Sequence, residues 1–229
     1  MGTTTQLPGR KTDDVFIERR GKNVLWQRSM YCSCYKAETG QPDFGCPLCL
    51  GLGYIYDTAT TVKMLMTGVK QDKSYSIVAA WELGTCRATF KASVTVGFKD
   101  RIMFQGVMLT FTELLTRKQR TALGSKDLLK FGKVTNIIKV IQRDPTLKTL
   151  ITYRESIDYR LVTDTSNSYI EWLAGGNKPA DNERYSILYE HLPEFIIWDV
   201  PQVRTDSEYY QFAKFSILRR KDMIENAPA

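Results

Sequence analysis

The sequence of 229 residues holds a single histidine, His191. A serine triad or a histidine-based metal site would have to rest on that one imidazole. It lies between Glu190 and Leu192-Pro193 and reads as a surface or strand-edge residue. Gly-x-Ser-x-Gly, a phosphate-cradling glycine loop and His-Glu-x-x-His are all missing. Asp13-Asp14 fall in a polar stretch and Asp181 in a loop, so no paired acid and base stands out. The expectation is a chain that is not an enzyme.

Long apolar runs are missing too. No stretch approaches eighteen continuous apolar residues, which argues against a spanning helix and against a membrane partner. The opening Met1-Gly2-Thr3-Thr4-Thr5 lacks the apolar segment of a secretion signal, so folding in a reducing cytoplasm is expected. In that setting clustered cysteines read as metal ligands rather than as disulfides. There is also no charge block. Lys and Arg exceed Asp and Glu by seven, but apart from Arg219-Arg220-Lys221 they are scattered, as on a solvated basic surface.

What is present favours strands. Apolar residues make up 43% of the chain, enough for a packed core, and twelve Tyr, ten Phe and four Trp suit pleated surfaces. Strand-like runs include Thr61–Gly68, Tyr75–Trp81, Arg87–Val96, Arg101–Phe104 and Val107–Thr112, punctuated by Gly68, Gly84, Gly97 and Gly106. Others follow at Val134–Ile141, Thr149–Tyr153, Asp158–Val162, Tyr169–Leu173, Tyr185–Tyr189 and Phe195–Trp198. In the Tyr185–Tyr189 run, Tyr185, Ile187 and Tyr189 share one face. The leucine-rich stretch 113–132 is the best helical candidate, broken at Gly124-Ser125. The fold expected is mainly β, an antiparallel β-barrel or sandwich with a small inserted four-cysteine zinc knuckle and one or two short helices. The expected division is an extended arm over 1–23, the knuckle over 24–58 and a β domain over 59–130. Residues 131–229 form a second β domain or a continuation of the same core.

The cysteines carry the most specific signal. Cys32-x-Cys34 is followed, after eleven residues, by Cys46-Pro47-Leu48-Cys49-Leu50-Gly51-Leu52-Gly53. A tight Cys-x-x-Cys turn brings two thiolates to one side of the chain, and four thiolates close a tetrahedral zinc site with no open position for water. Gly51 and Gly53 let backbone N–H groups turn back toward the sulfurs. Cys32, Cys34, Cys46 and Cys49 are therefore the candidate ligands of a structural zinc. An iron–sulfur cluster takes the same thiolates, so the residues name the ligands and not the ion. A redox pair at Cys46 and Cys49 would need a βαβ context, which is not visible. Cys86 reads as a buried small hydrophobe. The knuckle region is neutral to acidic (Lys36, Glu38, Asp43), which weighs against a nucleic-acid-binding zinc ribbon.

Two stretches resemble known proteins. Cys46–Tyr56 resembles a cysteine knuckle of small structural proteins from tailed bacteriophages. Its Cys-x-x-Cys-x-Gly-x-Gly core is also similar to the zinc repeat of DnaJ-type chaperones, whose tandem copies are absent here. The succession Asp158-Tyr159-Arg160-Leu161, Ile170-Glu171-Trp172, Pro179-Ala180 and Tyr185–Tyr189 resembles β-rich segments of phage neck and baseplate proteins. The resemblance covers about half of the chain and implies a non-enzymatic virion subunit of the neck, collar or head-to-tail connector, or else of the baseplate. It implies assembly in the host cytoplasm, a homo-oligomeric ring, neck, tail or portal neighbours, and non-specific contact with DNA. A zinc-ribbon nucleic-acid-binding regulator is the alternative from another class.

Overall fold

The computed structural model describes residues 10–36, 38–68, 85–119, 123–144, 148–200 and 214–224. The strand expected at Tyr75–Trp81 lies outside them, as do residues 1–9 of the expected arm. In chain order the elements begin with α1 (Arg10–Arg20), β1 (Lys22–Gln27), β2 (Ser29–Tyr31), β3 (Tyr54–Tyr56) and β4 (Thr60–Gly68). Next are β5 (Thr85–Phe90), β6 (Arg101–Phe104), β7 (Leu109–Thr116), β8 (Lys126–Leu128) and β9 (Val134–Arg143). Then follow β10 (Leu150–Tyr153), β11 (Tyr159–Thr163), β12 (Ser168–Trp172), β13 (Arg184–His191), β14 (Glu194–Asp199), β15 (Lys214–Arg220) and α2 (Lys221–Ile224). The protein is mainly β, as the aromatic content suggests.

The chain divides into two compact units, and each is discontinuous. One draws on Met1–Ser29, Ala59–Gln105 and Glu194–Ala229, the other on Met30–Thr58 and Gly106–Pro193. The division does not follow the sequential boundaries expected at 23, 58 and 130. Non-local strand pairing decides it, and such pairing leaves no mark in local composition.

The first unit is a closed antiparallel barrel, ordered β1-β4-β5-β15-β14-β6, with β6 returning to β1. Closure leaves no free sheet edge. Alternation along each strand sends Val24, Met64, Cys86, Ala88, Phe90, Ile102, Phe195, Ile197 and Leu218 into one core. Cys86 is the buried small hydrophobe expected, and burial pushes its thiol up to about 11.

A helix, α1, replaces the extended arm over residues 10–20. The stretch lacks an amphipathic stripe, because tertiary contacts rather than periodicity hold the helix. Ile17 is buried, Glu18 pairs with Lys63 and Lys91, and Asp14 accepts a hydrogen bond from the Ala92 N–H. Arg19 and Arg20 suit the negative end of the helix. Gly21 ends it, donating its N–H to the Ile17 carbonyl at 2.7 Å; a Cβ there would stand 2.3 Å from that oxygen.

The second unit contains a four-stranded sheet (β10-β9-β13-β7) and a three-stranded sheet (β11-β12-β8), both antiparallel. They share a core that includes Leu115, Ile137, Val140, Ile170, Ile187 and six large aromatics, Phe131, Tyr153, Tyr159, Trp172, Tyr185 and Tyr189. Tyr185, Ile187 and Tyr189 do share the inward face of β13. No α-helix forms among the described residues of 113–132, where one is expected; Leu123 alone of them lies in a 3₁₀ turn. β7 continues to Thr116, and Lys126–Leu128 form β8. An eight-residue ladder from Leu109–Thr116 to Arg184–His191 outweighs the helical preference of the leucines.

Candidate metal centre

The knuckle hangs on the shortest sheet of the fold, β2 with β3. The Cys32 N–H donates to the Gly53 carbonyl at 2.9 Å and closes its base. Two turns carry the sulfurs inward. Tyr35 N–H donates to the Cys32 carbonyl (2.9 Å), and Leu50 N–H to the Cys46 carbonyl (2.9 Å). Leu50, Gly51 and Gly53 all adopt positive φ, at 54°, 76° and 78°. Glycine is at ease there, whereas Leu50 is held by burial. A Cβ on Gly53 would also crowd the Pro42 ring at 3.2 Å.

The sulfurs of Cys32, Cys34, Cys46 and Cys49 lie within 4.8 Å of one another. Cys32 Sγ is 3.7 Å from Cys46 Sγ, and Cys34 Sγ is 3.3 Å from Cys49 Sγ. These are not disulfides; all four thiols are free. Four sulfurs around a tetrahedral zinc at about 2.3 Å would be separated by about 3.8 Å, and the observed spacing brackets that value. The donor set fits a metal ion electrostatically as well. Backbone N–H groups of Cys49 and Leu48 point at the Cys46 sulfur and bring its pKa down to about 7. Burial, and then the adjacent Cys49, push Cys34 up to about 12. Crowded thiols cannot all ionise together unless a cation sits among them. The four cysteines can therefore hold a metal ion, all the candidate ligands having been brought together.

The surroundings are aromatic outside and nearly devoid of core inside. Tyr31, Tyr35 and Tyr54 form a ring cluster with centroids 4.8, 5.0 and 6.4 Å apart. Burial, then the contact with Tyr31, pushes Tyr54 up to about 12. The buried cluster of the knuckle consists of Cys32, Cys46 and Cys49, with Cys34 and Ile55 against it. Beside it, a cleft of about 380 Å³ opens between Pro47–Leu52 and the Asp164–Asn167 turn. The Asp164 carboxylate is committed to that turn, accepting the Ser166 and Asn167 N–H groups and the Tyr169 hydroxyl.

His191 is not at the surface. It is 3% exposed, stacks on Phe131 (3.6 Å, 12°) and places Nδ1 2.7 Å from the Leu192 carbonyl. Its inward register on β13 decides this. The sequence reading also missed two buried polar clusters. In the barrel unit, Arg101 donates to Gln27 Oε1 and to Glu194 Oε1 (3.1 Å), and Lys221 Nζ reaches the same carboxylate at 3.3 Å. In the second unit, Asp127 accepts the Trp172 indole N–H, the Tyr185 hydroxyl and the Lys118 N–H at 2.8–2.9 Å. The Arg117 guanidinium lies 3.7 Å from it. Burial, followed by this carboxylate, drives the Tyr185 pKa far above the usual phenol range. These partners are up to 93 positions apart in the chain, so no local spacing could announce them.

No helix among the described residues is long and apolar enough to cross a membrane. No family model matches the sequence, and no curated protein matches it.

Proposed function

We propose that Cys32, Cys34, Cys46 and Cys49 bind one structural zinc ion, and that the chain is a non-enzymatic assembly subunit of a tailed-phage virion. Its place is the neck, collar or head-to-tail connector. The observation that carries the reading is the composition of the knuckle. Its buried cluster is three cysteines, with Leu50 buried beside them, while Met30, Tyr31, Phe44 and Leu48 are exposed on it. A metal makes a small loop rigid without an apolar core, which frees its apolar side chains to face a neighbour. The resemblance of Cys46–Tyr56 and of the Asp158–Tyr189 succession to neck and baseplate proteins supports the virion assignment. Zinc is favoured over an iron–sulfur cluster because four sulfurs within 4.8 Å of one another leave room for a single tetrahedral ion.

The test is native mass spectrometry of the intact chain, alone and mixed with candidate neck neighbours. One zinc per chain in a ring-sized multimer, or in complex with a neighbour, is the expected result. A metal-free monomer would remove both halves of the reading. Zinc in a strict monomer that binds duplex DNA with steep salt dependence would transfer the protein to the regulator class.

A further inference from the structure

One end of the barrel carries an arrangement that packing does not require. Trp198 is the extra residue of a β-bulge. Ile197 pairs with Leu218 and Asp199 with Ile217, so Trp198 has no opposite partner. A bulge re-aims a side chain and recurs beside functional sites. Lys99, just before β6, adopts φ +67°, a left-handed conformation that costs energy for a lysine. Its N–H donates to the Ile197 carbonyl at 2.8 Å, which ties the two irregularities together. The outcome is a cation held over an indole, with Lys99 Nζ 4.0 Å from the Trp198 ring centroid and 5.1 Å from that of Phe98. Arg219, from β15, sits over the same Trp198 ring at 4.6 Å.

Two cations on one ring repel each other, and the surroundings add positive charge. Arg87 on β5 is exposed and pairs with Ile217, two places from Arg219 on the outer face. Arg28 follows β1, lies 5.2 Å from the Trp26 ring and reaches the Thr95 carbonyl. Ser29 Oγ donates to the Phe98 carbonyl at 2.9 Å, fastening this corner to the same loop. Asp199 follows Trp198 on β14 and is exposed, while Asp100 is buried and accepts from the Trp26 indole and the Ser29 and Gly97 N–H groups. Phe98 is 50% exposed and Trp198 36%. An exposed ring amid clamped cations is the footprint of single-stranded nucleic acid, in which bases stack on aromatics and phosphates meet Lys and Arg.

We propose that this end of the barrel is a contact surface for single-stranded nucleic acid, with Phe98 as the stacking face and Lys99, Arg219 and Arg28 meeting phosphates. The surface lies in the barrel unit and does not depend on the metal centre or on the virion reading. Partial burial of the Lys99 ammonium, which lowers its pKa, marks how far the side chain is drawn against the rings.

The probe is a fluorescein-labelled oligothymidylate of about twenty nucleotides, titrated with the full chain at about 50 and 200 mM NaCl. Binding at the lower salt that weakens steeply at the higher is expected. Lys99→Gly relaxes the left-handed backbone while removing the ammonium, and Arg219→Gln keeps the stem without the charge. Each should weaken binding about tenfold without lowering the thermal melt, and Phe98→Ala should do so with a smaller change in salt slope. Three results would overturn the assignment. They are no binding at low salt, binding that ignores all three variants, or equal competition by polyglutamate of matched charge, which would point to an acidic protein.

Discussion

The barrel and the knuckle solve the same problem by opposite means. In the barrel, six strands close on themselves and about ten apolar side chains fill the interior. Each fully buried Ile, Leu or Phe there contributes about 1.5–3 kcal/mol, so loss of one leaves the rest in place. The knuckle has two strands of three residues and three buried cysteines. Two short strands are marginal in water, and three thiols supply little apolar burial. One region is redundant; the other, with the metal proposed for it, would depend on a single centre. A small loop can thus be rigid and still present apolar side chains outward, whereas a loop with its own core must turn those side chains inward.

The largest effect should separate the two regions outright. Chelation of the proposed metal, or changing Cys49 to Ser, should abolish amide protection over residues 30–56 while the β5–β15 amides stay protected. Hydrogen exchange read by mass spectrometry checks this, and equal loss in both regions would erase the contrast. The expected destabilisation of the knuckle is at least about 3 kcal/mol.

The next test concerns the aromatic unit. Asp127→Ala would leave the buried Arg117 guanidinium without its counter-charge and an indole N–H and a phenol without their acceptor. A cost of about 3–5 kcal/mol in urea unfolding is expected, larger than that of any single truncation of an exposed residue. The barrel's own polar cluster should behave alike. Glu194→Gln should cost about 2–4 kcal/mol, because Arg101 and Lys221 keep their buried charges. Replacing Arg101 by Met and Glu194 by Leu together should cost less than Glu194→Gln alone, since both charges then leave the interior. If the double change costs more, the cluster is holding the barrel and not merely tolerated by it.

The smallest effect lies at the surface. Lys63 and Lys91 lower the Glu18 pKa from 4.5 to about 2. A depressed carboxylate stabilises the fold above its unfolded pKa, and that contribution is lost as pH falls from about 4.5 to about 2. Glu18→Gln should flatten this part of the stability–pH curve at low salt, and added salt should shrink the difference. An unchanged curve would mean that α1 is held by Ile17 and Asp14 and not by Glu18.

Much of the molecule was legible in the chain itself. Cys32, Cys34, Cys46 and Cys49 declare a four-sulfur centre because ligand spacing is a local property, set by turns of a few residues with glycines at 51 and 53. The alternation at Tyr185–Tyr189 declares an inward face for the same reason, since a strand's period is two. What tertiary structure alone decided has in each case a partner far away. α1 formed where the sequence reads as an arm, because Ile17 and Glu18 find β4 and the β5–β6 loop. Leucines near 114 became strand through an eight-residue ladder to β13, and His191 went inward with that strand. The barrel takes β14 and β15 from the far end of the chain, and the Trp198–Lys99 cluster exists only once they are in place. Local geometry is written in neighbouring residues; burial, charge pairing and sheet closure are decided by which distant strands find one another.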